Sequence, residues 1–122
     1  MNKKILIVED EQMILSVLTK KLQDSGYDVV SATDGESGLD LALKDNFDLI
    51  LLDIILPKMD GITLLEKYNL AEGTKAPVII LSNLDDAEKI HESKERGAYD
   101  YLVKTNWSLD DVIQKIKETI GM

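Results

Sequence analysis

The sequence predicts an α/β fold in which five strands alternate with five helices, (βα)5, around a parallel sheet covered on both faces. Three observations predict it. Five short apolar runs, Lys4–Val8, Asp28–Ala32, Leu49–Leu52, Val78–Leu81 and Tyr101–Val103, are mostly continuous rather than alternating, as strands buried on both faces require. Between them the apolar residues recur at helical spacing. Capping residues and glycines fall where those helices should start and stop.

The elements follow in order. After Lys4–Val8, Ile14, Val17, Leu18 and Leu22 mark the apolar face of a first helix, which Gly26 ends. After Asp28–Ala32, Thr33 and Glu36 read as a capping box for a second helix carrying Leu39, Ala42 and Leu43. Leu49–Leu52 leads through a Pro57 and Gly61 turn into a third helix with Leu64, Leu65 and Tyr68. Val78–Leu81 precedes a fourth helix weakly marked by Ala87, Ile90 and Ala98, with Gly97 read as its end. After Tyr101–Val103, Ser108 and Asp111 form a second capping box, with Trp107 placed to staple onto Val112. The fifth helix has the clearest stripe, Leu109, Val112, Ile113, Ile116 and Ile120.

The chain has 122 residues, which suits one domain over 1–122, with no linker, repeat or output domain expected in it. It has no cysteine, so disulfides and thiolate metal sites are excluded. Its net charge of −9 opposes direct binding to nucleic acid or to anionic membrane surfaces. The longest apolar runs, Ile5–Val8 and Leu49–Leu52, fall far short of the ~20 residues a membrane span needs. The apolar stretch after Lys3 and Lys4 stops at Glu9, too early for a signal peptide. The expected location is the cytoplasm.

In an open parallel α/β sheet, ligands sit beyond the carboxyl ends of the strands. Standing there are Glu9, Asp10 and Glu11 after the first strand, Asp53 after the third, Ser82 after the fourth and Lys104 after the fifth. Glu9, Asp10 and Asp53 converge if the first and third strands are neighbours. Like charges ~4 Å apart repel by ~4 kcal/mol at an effective dielectric of ~20. A hard divalent cation such as Mg²⁺, or protonation of one acid, relieves that. Without either, neutralising Asp53 is expected to stabilise the fold. A carboxylate beside Mg²⁺ can attack phosphorus, and the Lys104 ammonium and Ser82 hydroxyl can hold the remaining phosphoryl oxygens. Taken singly, each of these residues is as easily a solvated strand-end group.

The whole chain resembles the response-regulator receiver family of two-component signalling. Val8-Glu9-Asp10-Glu11, Leu52-Asp53 through Asp60-Gly61, Leu81-Ser82 and Tyr101-Leu102-Val103-Lys104 carry the resemblance. It implies the flavodoxin-like, doubly wound five-stranded sheet with strand order 2-1-3-4-5. It also implies Asp53 as phosphoacceptor and Mg²⁺ held by Asp10, Asp53 and the backbone carbonyl of Ile55, with Glu9 acting through water. Ser82 and Lys104 then read the phosphoryl oxygens, and Tyr101 swings inward when Ser82 moves. The implied partners are a histidine kinase or histidine phosphotransfer protein and a downstream protein target, with dimerisation on phosphorylation left open. Thr105 stands where the family usually has proline, and Asn83 where a small residue is common. In the family, side chains two positions after the phosphoacceptor and after the hydroxyl residue flank the hydrolytic water; here these are Ile55 and Leu84. A flavin carrier is disfavoured because Glu9, Asp10 and Glu11 would repel its phosphate. A haloacid-dehalogenase-like phosphatase is disfavoured because Ile55 occupies the place of that family's second aspartate. His91 reads as a surface residue, and Met13 and Met59 as core or loop fillers.

Overall fold

A computed structural model describes residues 2–73 and 75–121. The strands are β1 (Lys4–Val8), β2 (Asp28–Ala32), β3 (Leu49–Leu52), β4 (Val78–Ser82) and β5 (Asp100–Val103). The helices are α1 (Gln12–Asp24), α2 (Gly35–Lys44), α3 (Gly61–Leu70), α4 (Ala87–Glu95) and α5 (Leu109–Ile120). The strands form one parallel sheet in the order β2-β1-β3-β4-β5, as expected.

Continuous apolar strands give the sheet two buried faces. Ile5, Ile7, Leu49, Leu51, Ile79 and Leu81 point toward α1 and α5, meeting Leu15, Leu18, Leu22, Val112, Ile113 and Ile116. Leu6, Val8, Ile50, Leu52, Val78 and Ile80 point the other way, toward Ala42, Leu64, Leu65 and Tyr68. Each fully buried aliphatic side chain contributes ~1.5–3 kcal/mol relative to exposure, so these two layers are the main stabilising term.

Several local expectations need correction. Helix α2 is capped by Asp34, not Thr33. The Asp34 carboxylate accepts from the Ser37 N–H at 2.8 Å and from its hydroxyl at 3.0 Å. An ionised cap is favoured beside the positive end of the helix dipole. The helix start is also fixed from outside, because the Gly35 N–H donates to the Pro57 carbonyl at 3.1 Å. Val17 and Leu43 lie at the solvent edge of their stripes and are exposed, and Leu15 takes the core position on α1. Met13 is 83% exposed and fills nothing. Met59 packs against the second core layer. In α4 Ala87 is exposed, Ile90 is half-buried and Ser93 is the one buried residue.

Other signals are as expected. Gly26 and Gly97, at φ 96° and 108°, end α1 and α4, and Ser108 with Asp111 forms the capping box of α5. No cis peptide occurs among the described residues, so Lys104 enters Thr105 through a trans bond. Lys104–Asn106 forms one turn of 3-10 helix.

Candidate functional site

The chain order reverses between β1 and β3, and the site lies beyond their carboxyl ends. Val8 pairs with Leu52, so the next residues, Glu9 and Asp53, emerge side by side. The Asp53 N–H donates to the Val8 carbonyl at 3.0 Å and the Glu9 N–H to the Ala32 carbonyl at 3.0 Å. Both acids are buried while Asp10 is exposed. Glu9, Asp10 and Asp53 each offer a carboxylate oxygen, and these lie within 4.8 Å of one another.

Lys104 reaches these acids past the end of β4. Its Nζ lies 2.7 Å from Glu9, 2.9 Å from Asp53 and 3.2 Å from Glu11. Burial pulls the ammonium toward its neutral form, but the bonds to Glu9 and Asp53 outweigh it and keep Lys104 charged well beyond its ordinary range. Burial raises the Glu9 carboxyl above the usual range against the opposing bonds from Lys104 and the Glu11 N–H.

The remaining groups are held by backbone. The Asp53 carboxylate accepts from the Ile55 N–H at 3.2 Å, while the Ile55 side chain stands 57% exposed at the mouth. The Gly61 N–H donates to the Ile54 carbonyl at 2.8 Å, closing the loop that follows Asp53. Lys58 takes φ 70° there, and Asp60 caps α3 through Thr63. Ser82 ends β4 fully buried, paired in register with Val103 just before Lys104. Its hydroxyl lies 3.4 Å from the Leu84 N–H. Tyr101 is buried, and its hydroxyl donates to the Leu84 carbonyl at 2.6 Å. The ring therefore stands inward.

The structure thus brings Glu9, Asp10, Asp53, Ser82 and Lys104 to adjacent strand ends and leaves His91 on the surface, paired with Glu95. Sequence reasoning missed Glu11 as a partner of Lys104. It occupies the N-cap position of α1, where a carboxylate is ordinarily assigned to the helix, and no spacing rule distinguishes the two uses. The donor set is hard oxygen, and one lysine among Glu9, Asp10, Glu11 and Asp53 leaves a net negative charge. These residues fit a hard divalent cation with several retained waters.

Comparison with known proteins agrees with this geometry. The model of the response regulator receiver domain matches residues 5–117. The chain is 41% identical over 104 residues to the alkaline phosphatase synthesis transcriptional regulatory protein PhoP of Bacillus subtilis (strain 168), covering 85% of this chain and 43% of that one. It is 35% identical over 122 residues to the sporulation initiation phosphotransferase F of the same organism, covering 100% and 97%. The chain therefore spans under half of the first relative and nearly all of the second. Among solved structures, the receiver domain of a sensor histidine kinase from Pseudomonas aeruginosa PAO1, with a magnesium ion coordinated in its active-site cleft, superposes with a TM-score of 0.87 at 27% identity, covering 100% of both chains.

Proposed function

This chain belongs to the response regulator receiver domain family of two-component signalling, and we propose that Asp53 is the residue that takes the phosphoryl group. The observation that carries the assignment is the buried contact between the Asp53 carboxylate and the Lys104 ammonium at 2.9 Å. It lies at the switch point of the sheet with Ser82 alongside. A carboxylate oxygen of Asp53 attacks phosphorus in line. A P–O bond forms as the bond to the donor breaks, and the bonding pair leaves with the donor. The class of donor is a phosphohistidine on a histidine kinase or histidine phosphotransfer protein.

Catalysis here is positioning and charge neutralisation. Lys104 and Ser82 supply donors for two phosphoryl oxygens. Asp10, Asp53 and the Ile55 carbonyl would hold Mg²⁺, with Glu9 acting through water. The ion, when bound, supplies neutralisation of a third oxygen. The chain assists its own phosphorylation and dephosphorylation rather than turning over a substrate. Residues 1–122 serve as one receiver unit in the cytoplasm, acting on a downstream protein rather than on nucleic acid or membrane. Among the described residues no helix is long and apolar enough to cross a membrane. Phosphorylation would draw Ser82 toward Asp53 and hold Tyr101 inward, a bias on a two-state equilibrium.

Acetyl phosphate with Mg²⁺ should add one phosphoryl group to the intact mass of the protein, and Asp53→Ala should abolish it. Equal labelling of the variant would refute the assignment.

A further inference from the structure

The three acids on Lys104 are not equivalent, and the difference points to a role for Glu11. An ammonium has three N–H donors. The three neighbours within bonding distance are Glu9 at 2.7 Å, Asp53 at 2.9 Å and Glu11 at 3.2 Å. Asp53 gives up its donor only as its own oxygen bonds phosphorus, so before that step a phosphoryl oxygen gains a donor from Lys104 by displacing Glu9 or Glu11. Glu9 is 2% exposed and also accepts the Glu11 N–H at 3.1 Å, so its loss would strand a buried carboxylate. Glu11 is 51% exposed in its side chain, and its released carboxylate returns to water at little cost. It is also free of any helix-capping duty. Glu11 sits at the N-cap of α1 in an extended conformation, yet its side chain makes no capping bond and turns to Lys104 instead.

We propose that Glu11 is a positioning residue for phosphorylation: it holds the Lys104 donor that is given up at least cost before the Asp53–phosphorus bond forms, and so restrains the reaction. The inference rests on Asp53 being the phosphoacceptor.

Glu11→Gln should therefore speed labelling by acetyl phosphate and Mg²⁺, by about twofold to fivefold, the range expected for releasing a half-exposed ion pair. Glu11→Asp separates contact from charge. It keeps the negative charge, but the shorter side chain falls short of Lys104 and can cap α1, so it should also label faster than wild type. Labelling of Glu11→Gln at the wild-type rate, or Glu11→Asp behaving as wild type, would each overturn the proposal. Absence of labelling in the wild type would instead overturn the reading of Asp53.

Discussion

Lys104 offsets most of the repulsion that the strand-end acids would otherwise feel. It lies within 2.9 Å of both Glu9 and Asp53 and is itself nearly buried. The strain that the acids alone imply is thus largely answered within the protein, and neutralising Asp53 gains less than the sequence leads one to expect. Removing the lysine is the harsher change, because it strands two buried carboxylates. Lys104→Ala should lower metal-free stability by ~3–5 kcal/mol. Mg²⁺ should restore part of the loss by binding the native state alone. Urea unfolding with and without Mg²⁺ measures both effects, and wild-type stability in metal-free Lys104→Ala would refute the account. A second consequence concerns the lifetime of the phosphorylated state. We propose that Ile55 and Leu84 flank the approach of the hydrolytic water; their side chains can neither donate to it nor accept from it. The double change Ile55→Asn, Leu84→Glu should shorten the lifetime of phosphorylated Asp53, read as decay of the added mass after the donor is removed. An unchanged decay with the fold intact would show that these side chains do not gate the water.

Single elements differ in how firmly they hold the site. The β3–α3 loop is the most constrained, because a Cβ on Gly61 would collide with the Asp53 carbonyl and the Ile54 Cα. These are backbone atoms and cannot swing aside. A Cβ on Gly97 would meet mainly the Asn69 side chain, which can move, although its φ of 108° still disfavours any other residue. Gly61→Ala should therefore lower both stability and Asp53 labelling, whereas Gly97→Ala should lower stability with labelling largely kept. Thermal melts beside intact-mass labelling separate the two. Equal labelling losses in both variants would mean that the loop does not position Asp53. The sequence made the strands legible because continuous Ile, Leu and Val runs have few other uses. It also revealed Asp53, Ser82 and Lys104, since chemistry-bearing residues directly follow those runs. It was less informative where two local rules compete. Thr33 to Glu36 and Asp34 to Ser37 both fit a cap, and a contact from the Pro57 loop decides for the second. The exposure of Val17 and Leu43 depends on the width of the core face. The inward Tyr101 and the turn of Glu11 toward Lys104 depend on groups from distant strands.

Over the whole molecule, acids outnumber bases 23 to 14, so falling pH relieves a general repulsion and by itself favours the compact state. Individual groups oppose or reinforce that trend. Burial pushes the Asp100 carboxyl up, but Lys115 at 2.9 Å and the Tyr101 N–H at 2.8 Å outweigh it and hold the group below the ordinary range. At Asp60 burial is likewise outweighed, by the Thr63 N–H and hydroxyl. A carboxyl depressed by folding gives stability that is complete above its unfolded value, about 4, and is lost as pH falls through the folded value. Glu9 has the opposite sign. Burial raises its carboxyl, so the folded chain holds that proton more tightly than the unfolded chain does. Stability from this group declines as pH rises from the unfolded value through the raised one. The metal-free protein should therefore be most stable in a mildly acidic window, with an acid limb set by Asp60 and Asp100 and a neutral limb set by Glu9. Urea midpoints from acid to neutral pH should show that maximum. Asp100→Asn should flatten the acid limb and leave the other in place, while Glu9→Gln should flatten the neutral limb. A stability that climbs steadily to neutral pH, indifferent to Glu9→Gln, would mean that the buried Glu9 ionises at no expense to the fold.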